Sequence, residues 1–573
     1  MNSSYRPDRF GLHNIELCSS CADSLAPRGG AHYRVAVTDV PPHVQRSGSA
    51  SPEPVDVVIV GAGPAGGVYA HRFAQANLKV VVLEAGNDWT LGDMRSSSLW
   101  ARRLKYSGTP VHLGGEHPLS HNVSMGSGTG GAAIHHYGTW PRLSPEVFRM
   151  QTLYGRGLDW PIDYEQLRPW YDRVQAEVGV AGDAGQEPWR GPGAAYPLKP
   201  LRSFRAGEIL ARGFRELGLP VSPLPATIMT EPFKGRPACL YDGWCDAGCP
   251  IGALSNPLFT YLAWARAHGV ELRNRSVVTR VLSDAKGRAE GVAYRTADGQ
   301  EHVQRARVVV LAGSIIQNPR LMLNSVSAAH PNGIANGNRL VGRYLSADAM
   351  GFTYGLFTEP LDNWMGVSAG QFYSRGGLRY PQCAELIGGH QWQIAPALKP
   401  NDLFGVAATR PDLYGHALHG FVSEASRHLS YMVSFAGAEA SRECRVELDS
   451  GTQDKFGVPF ARAIHRHDSN TLALWDHINQ QGLAVMRAAG ARQAWNGTMA
   501  GGHMSGGTLM GSDPTASVCD GFGRTHEVPN LIVAGAGTFP QTCATSPTFT
   551  LHAVALRSAE HIATHFSDYA RPM

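Results

Sequence analysis

The most specific chemical pattern in this sequence is a glycine-rich turn between two apolar runs. Gly61, Gly63 and Gly66 directly follow the run VDVVIV, and Glu84 ends the next run, KVVVLE. In a strand–turn–helix unit, such glycines allow a tight turn, close approach of the backbone to a pyrophosphate, and close packing of the helix on the strand. The helix N-terminus presents unpaired N–H groups to the phosphates, and the carboxylate can accept hydrogen bonds from ribose hydroxyls. The pattern therefore predicts a dinucleotide site, although it does not separate NAD from FAD.

A second pattern that could do chemistry is a group of three cysteines, Cys239, Cys245 and Cys249, with a proline after the last of them. Thiolates a few residues apart on an irregular loop can bind an iron–sulfur cluster. Zinc is disfavoured because no histidine lies nearby in the sequence to complete four ligands. The alternatives are buried thiols without a metal, or a single disulfide. Cys18 and Cys21 form one CxxC with no second pair, which favours incidental thiols over a metal or redox site.

The composition is that of a large globular protein. The 573 residues are 43% hydrophobic and 17% charged, which permits a large buried core and excludes wholesale disorder. The 51 basic and 47 acidic residues leave a net charge of +4, which argues against a nucleic-acid binder with a concentrated basic face. No apolar stretch reaches the ~18 residues of a transmembrane helix. Nine cysteines in so long a chain exclude a small disulfide-stapled secreted fold.

The elements that would position these residues follow from the hydrophobic pattern. The runs VDVVIV, KVVVLEAG, RARVVVLAG and NLIVAGAG have strand length and are typical of buried parallel strands. Helices are predicted for GPAGGVYAHRFAQ, PIDYEQLRPWYDRVQAEV and SPTFTLHAVALRSAEHIATHF, the last with Ser546 as N-cap and Pro547 at its first position. HLSYMVSFAG and RVELDS predict strands of an antiparallel sheet. The fold class predicted is therefore α/β with a second, antiparallel sheet.

Longer stretches of the sequence carry a family resemblance. They include SGTGGAAIHHYGTW, DWPIDYEQLRPWYDRVQ, GRPACLYDGWCDAGCPIGA, HMSGGTLMGSD and PNLIVAGAGTFPQTCATSPTFTLHAVALR. From Val55 to its end the chain resembles the glucose–methanol–choline (GMC) oxidoreductases. Within that family it is most similar to the bacterial FAD-dependent glucose dehydrogenase catalytic subunit and to the gluconate and fructose dehydrogenase large subunits.

The resemblance implies a domain organisation. A Rossmann-like FAD-binding domain of the GMC type is expected at 55–150, 236–345 and 500–570. It is interleaved with an α+β substrate-binding domain at 151–235 and 346–499, which contains the antiparallel sheet. Residues 1–54 lie outside the resemblance, and we expect a loosely ordered extension there.

The resemblance also implies the catalytic groups. The family's base is the histidine of an HxxG-type motif, here His503 in HMSGGTLMG, and an imidazole suits this task because its unperturbed pKa is ~6.5. The family's second active-site position, usually His or Asn, falls at Ser546, which can donate and accept a hydrogen bond. His552, further along the predicted helix, is the candidate for supplying the missing imidazole. His135 falls where some relatives carry a histidine bonded to FAD, so we expect it near the isoalloxazine ring.

Two cofactors follow from the resemblance. The first is FAD, whose predicted contacts are Gly61, Gly63, Gly66, Glu84, Gly130, Gly131, His135, Val278, Gly313, Gly535, Ala536 and Pro547. The second is a 3Fe-4S cluster, because the bacterial glucose dehydrogenase binds one with a similar stretch of sequence, which has an additional cysteine where this chain has Leu240. Such a cluster needs only three thiolates, which Cys239, Cys245 and Cys249 can supply.

The predicted function is FAD-dependent oxidation of a sugar, glycoside or polyol hydroxyl, with hydride transfer to flavin N5 and His503 as base. A cluster would pass electrons to an external cytochrome or quinone. Catalytic subunits of this kind can stay in the cytoplasm, or reach the periplasm bound to a small chaperone-like subunit that carries the export signal. The alternatives are a cluster-free oxidase of the same fold that uses O2, and a flavin-binding subunit without catalysis, which the intact His503 motif disfavours. The sequence does not name the sugar or the carbon that is oxidised.

Overall fold

The computed structural model of the chain describes residues 53–120, 125–380 and 383–570. Nearly all of the predicted extension at 1–54, with Cys18 and Cys21, lies outside the described residues. No helix in these ranges is long and apolar enough to cross a membrane.

The strands are numbered in chain order. They are β1 Val55–Val60, β2 Val80–Leu83, β3 Val111–Gly114, β4 Ser222–Pro223, β5 Glu271–Arg273, β6 Val277–Ser283, β7 Ala289–Arg295, β8 Glu301–Leu311, β9 Ser346–Leu356, β10 Phe372–Arg375, β11 Arg379–Tyr380, β12 Cys383–Ile387, β13 His390–Ile394, β14 Leu429–Ala436, β15 Arg445–Gln453, β16 Pro459–Ile464, β17 Gln493–Asn496, β18 Ala500–Ser505 and β19 Leu531–Val533.

The α-helices are numbered in the same way. They are α1 Pro64–Gln75, α2 Ser98–Lys105, α3 Met150–Tyr154, α4 Tyr164–Val178, α5 Arg205–Glu216, α6 Tyr261–Ala267, α7 Gln317–Asn324, α8 Leu403–Ala407, α9 Gly415–His428, α10 Ser469–Ala488, α11 Thr548–Thr564 and α12 Phe566–Tyr569. Short 3-10 helices at Gly131–His135, Cys245–Ala247 and Ala536–Thr538 matter for the site.

The first sheet confirms the predicted buried parallel strands. Its order is β5-β2-β1-β8-β7-β6, and β19 pairs with the end of β8. The strands β5, β2, β1, β8 and β19 run parallel, whereas the hairpin β6–β7 is antiparallel. The carboxyl ends of β1, β8 and β19 therefore meet at one edge of the sheet, where nucleotides bind in such folds.

Both faces of the parallel sheet are covered, which explains why its strands read as continuous apolar runs. Val57 and Ile59 of β1 point into a core that includes Phe73 of α1 and Phe549 of α11. Val58 and its neighbours on the other face pack with the β6–β7 hairpin and α7. Alternate residues of one strand thus belong to two different cores.

The second sheet is antiparallel and confirms the prediction for the middle of the chain. Its order is β17-β9-β14-β13-β10-β4, and β18 also pairs with β9. Residues 500–505, which the sequence assigns to the cofactor domain, thus lie in this sheet as β18. The segment RVELDS forms part of β15, which belongs to a separate three-stranded sheet with β16 and β3.

Candidate functional site

The glycine-rich turn lies at the carboxyl end of β1, as predicted. Gly61 has φ +105°, and a Cβ there would lie 2.6 Å from the carbonyl oxygen of Ala312, which follows β8. A Cβ on Gly66 would clash with the carbonyl oxygen of Gly61. At Gly63, by contrast, a Cβ would have no atom within 4 Å. Gly61 and Gly66 are therefore needed by the fold. Gly63 faces open space, as expected for a residue that a dinucleotide approaches closely.

The carboxylate of Glu84 is buried and connects three backbone segments. Its Oε2 accepts a hydrogen bond from the N–H of Ala62 at 2.9 Å, and its Oε1 accepts from Gly86 and Gly128, each at 2.8 Å. Burial raises the pKa of Glu84, while these three N–H groups act in the opposite direction. Glu84 therefore connects the glycine-rich turn to a second glycine segment, residues 126–131. The prediction that Glu84 binds a ribose did not include this structural role.

The second glycine segment, 126–131, packs directly on the first turn. The N–H of Gly130 donates to the carbonyl of Ala62 at 2.9 Å, and a Cβ on Gly131 would lie 3.0 Å from the Cα of Gly63. The 3-10 helix Gly131–His135 follows, and the buried ring of His135 lies against Gly126. The structure thus brings His135 to the nucleotide turn, while its contact with the flavin stays a prediction.

Four other predicted cofactor residues lie at three places in the first sheet. Gly313 follows β8, and its N–H donates to Asn318 Oδ1 at 2.7 Å. Gly535, with φ +102°, follows β19 and precedes the 3-10 helix at Ala536. Val278 lies on β6, one strand beyond β7. Three glycine turns, after β1, β8 and β19, therefore share one edge of the sheet.

The contrast among the three glycines of the turn gives a test of the cofactor site. A Gly63→Ala variant should fold normally, because the new methyl group meets no protein atom, yet it should lose most of its bound FAD, because the methyl occupies the dinucleotide's space. The measurement is the FAD-to-protein absorbance ratio together with the melting temperature. Gly405→Ala, also in open space but on α8, is the matched control and should retain FAD. Full FAD content in Gly63→Ala would contradict this placement.

His503 lies on β18, where a β-bulge positions it. The register runs from Gly501 opposite Ala349 to Met504 opposite Ala347, so Gly502 and His503 together face one residue of β9. Bulges of this kind change the direction of a side chain and occur next to active sites.

The surroundings of His503 explain its orientation. The ring of Phe435 on β14 stacks on the imidazole with centroids 4.4 Å apart. A Cβ on Gly502 would lie 3.0 Å from the Phe435 ring, so glycine permits this close packing. The imidazole side chain remains 23% exposed, which leaves it accessible to a substrate.

The strand that carries His503 is tied to the cofactor edge. After β18, the N–H of Gly506 donates to the carbonyl of Ala536 at 3.3 Å, and that of Thr508 donates to Gly537 at 2.9 Å. The bonds run along the 3-10 helix that follows β19. They place the candidate base beside the glycine turns, although it belongs to the other sheet.

Ser546 lies beside His503, as the resemblance implies. Its Oγ is 3.2 Å from His503 Nε2, and Gln391 Nε2 on β13 donates to the same Oγ at 3.4 Å. The prediction that Ser546 caps α11 is wrong, because the helix begins at Thr548 with Pro547 as its N-cap and has no side-chain cap bond. Without a capping bond, the hydroxyl is available to the imidazole.

Asp348 is a functional candidate that no sequence motif marked. It is the residue of β9 opposite the bulge and is only 3% exposed. Its Oδ2 lies 3.4 Å from His503 Nδ1. Its Oδ1 accepts a hydrogen bond from the N–H of Ala544 at 3.3 Å. Burial raises the pKa of Asp348, and the nearby imidazole and N–H groups lower it.

His552 lies inside the fold. Its Nδ1 donates to the carbonyl of Thr548 at 2.7 Å, and its ring packs on Trp140 with centroids 4.7 Å apart. Burial lowers its pKa to about 4, so the ring is neutral at neutral pH. His552 is thus a residue of α11 whose ring packs in an aromatic core. Its role at the substrate stays a prediction.

The three predicted cysteine ligands lie in one loop and one buried cluster. Each sulfur accepts a main-chain N–H: Cys239 from Tyr241 at 3.3 Å, Cys245 from Ser368 at 3.5 Å, and Cys249 from Leu254 at 3.3 Å. N–H donors to sulfur are a feature of iron–sulfur loops, where they tune the reduction potential.

The ionisation of the three thiols bears on what they can bind. Burial raises the pKa of Cys239 to about 12, and it also raises those of Cys245 and Cys249. The thiols are therefore neutral in the iron-free protein, and ligand formation would release their protons. Among the described residues, no three His, Cys, Asp or Glu side chains are grouped to hold one metal ion. The iron–sulfur cluster on these cysteines stays a prediction.

The cysteine loop also adjoins the predicted flavin side. A Cβ on Gly248 would clash with the Met94 sulfur and would lie 3.5 Å from Ile134, the residue before His135. The loop and the helix Gly131–His135 are therefore in direct contact.

Family models match most of the described chain. A GMC oxidoreductase N-terminal model matches residues 122–348, and a GMC oxidoreductase C-terminal model matches 440–555. Together they span more than half of the protein. An NAD(P)-binding Rossmann-like domain model matches residues 59–122, which contain the first glycine turn.

Curated relatives match along almost their whole length. The chain is 29% identical to 2-methyl-1,2-propanediol dehydrogenase of Mycolicibacterium austroafricanum, covering 90% of this chain and 97% of the relative. It is 26% identical to the fructose dehydrogenase large subunit of Gluconobacter japonicus, covering 88% and 97%. It is 28% identical to paromamine 6'-oxidase of Streptomyces fradiae, covering 89% and 91%.

Solved structures share the fold at low identity. Pyridoxine 4-oxidase from Mesorbium loti superposes with a TM-score of 0.63 at 15% identity, covering 89% of this chain and 99% of that one. A formate oxidase variant of Aspergillus oryzae, studied for FAD modification, has a TM-score of 0.61 at 16% identity, covering 91% and 100%.

Proposed function

The chain belongs to the GMC oxidoreductase family, and from this premise we propose that it is an FAD-dependent dehydrogenase that oxidises a hydroxyl of a sugar, glycoside or polyol. The observation that carries the proposal is the pair formed by His503 Nε2 and Ser546 Oγ, 3.2 Å apart, with His503 on a strand whose continuation is hydrogen-bonded to the segment after β19. Bound FAD supplies the acceptor for the substrate hydride. The open space at Gly63 and the turns after β1, β8 and β19 fit this cofactor.

The chain's own residues would handle the proton. The Nε2 of His503 accepts the proton of the substrate hydroxyl, because a neutral imidazole with its lone pair on this atom is a base matched to neutral pH. Ser546 Oγ, beside Nε2, hydrogen-bonds the same substrate oxygen and orients it. Both groups lie on segments held by backbone hydrogen bonds, so the base is positioned before substrate binds.

The apolar side chains of β14 and β9 next to His503 support a substrate that has an apolar face. Tyr431, Val433 and Phe435 alternate along β14, and Phe352 and Tyr354 lie opposite them on β9. Their side chains form an aromatic and aliphatic cluster that begins at the imidazole, in which Phe352 and Tyr431 are only partly buried. Partly exposed rings near the base suit the apolar face of a sugar ring or an aglycone. The relatives named for fructose, paromamine and a diol support the same class of hydroxyl substrate.

The proposal includes a 3Fe-4S cluster on Cys239, Cys245 and Cys249. Three thiols with N–H donors, two of them buried, on a loop that contacts the 3-10 helix Gly131–His135, support this assignment. Electrons would leave through the cluster to a cytochrome or a quinone. The proposal also includes a small chaperone-like partner subunit, with the protein in the cytoplasm or, by co-export with that subunit, in the periplasm.

A second candidate is an oxidase of the same fold. Paromamine 6'-oxidase among the relatives and pyridoxine 4-oxidase among the structures carry this activity in their names. In that case the cysteine loop would hold thiols only, and O2 would reoxidise the flavin directly.

Anaerobic purification followed by cofactor analysis tests the proposal. The protein should be yellow, acid should release FAD, and iron should be present at about the amount of one cluster. A panel of sugars, glycosides and polyols should bleach the flavin, and an artificial acceptor should restore the colour faster than O2 does. FAD without iron, with fast reoxidation by O2, would establish the oxidase alternative. Bound NAD in place of a flavin would overturn the proposal.

A further inference from the structure

We propose that Asp348 is the positioning residue of the base: its carboxylate holds the proton of His503 on Nδ1 and so keeps Nε2 free to accept the substrate proton. This inference rests on the proposed function, because it concerns the same histidine.

The first support is the geometry of the two atoms that face each other. Asp348 Oδ2 and His503 Nδ1 are 3.4 Å apart, and neither has a different hydrogen-bond partner among the described residues. The carboxylate is nearly inaccessible to water, with 3% of its side chain exposed. A buried acceptor without a donor is costly, and the Nδ1–H of His503 is the donor that can satisfy it.

The second support is the direction of hydrogen bonds on the other side of the ring. Gln391 Nε2 donates to Ser546 Oγ at 3.4 Å, which leaves the serine proton free to point at His503 Nε2, 3.2 Å away. A ring nitrogen that accepts a hydrogen bond carries no proton. With the serine as donor, the neutral imidazole has its proton on Nδ1, toward Asp348, and all the hydrogen bonds from Gln391 to Asp348 run in one direction.

The third support is that the carboxylate is itself held in place. Asp348 lies on β9, and its Oδ1 accepts a hydrogen bond from the N–H of Ala544. Cys543 and Ala544 both have positive φ, 47° and 66°, a conformation that costs energy in residues other than glycine. The strained backbone of this pair directs the N–H of Ala544 to the Asp348 carboxylate. Because Ala544 lies two residues before Ser546, this hydrogen bond links the positions of Asp348 and Ser546.

Other charged groups near the pair do not replace Asp348. Cys543 interacts electrostatically with it, and burial raises the pKa of that thiol, so it stays neutral. Glu439 and Arg375 also interact with Cys543, but Glu439 pairs with Arg156, and Arg375 Nη2 donates to Thr545 Oγ1 at 2.7 Å. On its other sides His503 faces Phe435 and Ser546, which carry no charge.

The proposed role fits a balanced proton and hydride transfer. As the hydroxyl O–H bond breaks, its proton passes to Nε2, while the hydride of the same carbon leaves with its electron pair for the flavin. The ring becomes an imidazolium, and the Asp348 carboxylate stabilises the new charge through Nδ1–H. Asp348 touches neither substrate nor cofactor, so its effect on rate passes through the histidine.

The test compares the pH behaviour of wild-type protein and Asp348→Asn. Flavin reduction by substrate, measured anaerobically from pH 5 to 9, should be slower by about 10²-fold in the variant, within the range seen when the group that orients a catalytic histidine loses its charge. The pH midpoint of the rate should move to lower pH, because the imidazolium has lost its counter-charge. FAD content should be unchanged.

A second readout does not depend on catalysis. Diethylpyrocarbonate modifies only neutral imidazole, and peptide mass spectrometry reports the pH dependence of modification at His503 itself. In Asp348→Asn this midpoint should also move to lower pH. Because the measurement needs no substrate, it tests Asp348 even if no hydroxyl substrate reduces the flavin and the proposed function fails.

His112 and Asp449 supply a matched control, because they form another histidine–aspartate pair, at 2.7 Å, on the three-stranded sheet. Asp449→Asn should leave both midpoints of His503 and the reduction rate at wild-type values. Unchanged midpoints in Asp348→Asn would overturn the proposal. So would a variant that melts at a lower temperature but shows the wild-type rate and pH profile in its folded fraction, because Asp348 would then only clamp the Ala544 segment.

Discussion

A His503→Ala variant will keep its FAD and lose between about 10²- and 10⁴-fold in the rate of flavin reduction by substrate, the usual contribution of a positioned base. FAD stays bound because the glycine turns after β1, β8 and β19 are built without the imidazole. The wild-type rate should rise with pH, since only the neutral imidazole accepts a proton, and the variant should lose this dependence. Anaerobic stopped-flow absorbance at the flavin band measures both effects.

Two further variants serve as a control and a comparison for His503→Ala. His112→Ala removes an imidazole that is also paired with an aspartate but lies on the three-stranded sheet, and it should reduce flavin at the wild-type rate. Ser546→Ala should cost no more than about tenfold, because a neutral hydrogen bond contributes on the order of 1 kcal/mol. If His503→Ala is reduced at near wild-type speed, the base lies elsewhere, and His552 becomes the next residue to test.

A Cys245→Ser variant will contain no stoichiometric iron, because a 3Fe-4S cluster on this loop has only three thiolates and a serine oxygen is a poor replacement. Flavin reduction by substrate should survive, because the proton and hydride steps do not use the loop. Reoxidation by the proposed acceptor, a cytochrome or a quinone, should slow by at least about tenfold. Iron analysis of anaerobically prepared protein and double-mixing stopped-flow absorbance measure the two halves of this result.

Cys444→Ser is the control for this prediction. Cys444 is also buried, but it lies at the start of β15, where its thiol donates to the carbonyl of Arg466 at 3.4 Å. A serine can make the same bond, and iron content should not change. Wild-type protein that carries no iron under anaerobic preparation would remove the cluster from the proposal and favour reoxidation by O2.

Features encoded by contiguous residues could be predicted from the sequence. The glycine turn, its flanking strands and the helix α1 lie within thirty or so residues, and each glycine has a local steric reason that a single pattern expresses. The same holds for the helix α4, which starts with Asp163 and Gln166 as a capping box. His503 was assigned differently, through a motif that the family resemblance supplied, and its role as base stays a prediction.

Features that depend on strand register could not be predicted. Asp348 lies 155 residues before His503, and only the bulge in β18 opposite β9 brings the two side chains together. Phe435 and Gln391 reach the same place on β14 and β13, and no spacing in the sequence relates them. A shift of one residue in any of these pairings would turn the side chains to the other face of the sheet.

The case of Ser546 separates the two kinds of information most clearly. Its local sequence, Ser-Pro before an apolar helix, is a good capping signal. The hydroxyl can hydrogen-bond either to a backbone N–H of the helix, as a cap, or to an imidazole that is distant in the sequence. The glycine-rich turn, the buried strands and the helices around it could be predicted from the sequence, because these features depend on neighbouring residues. The tertiary structure was needed to show that the serine faces His503, that a buried aspartate lies beside the ring, and that the cysteine loop contacts the 3-10 helix Gly131–His135, because these contacts join segments whose positions are set by packing and strand pairing.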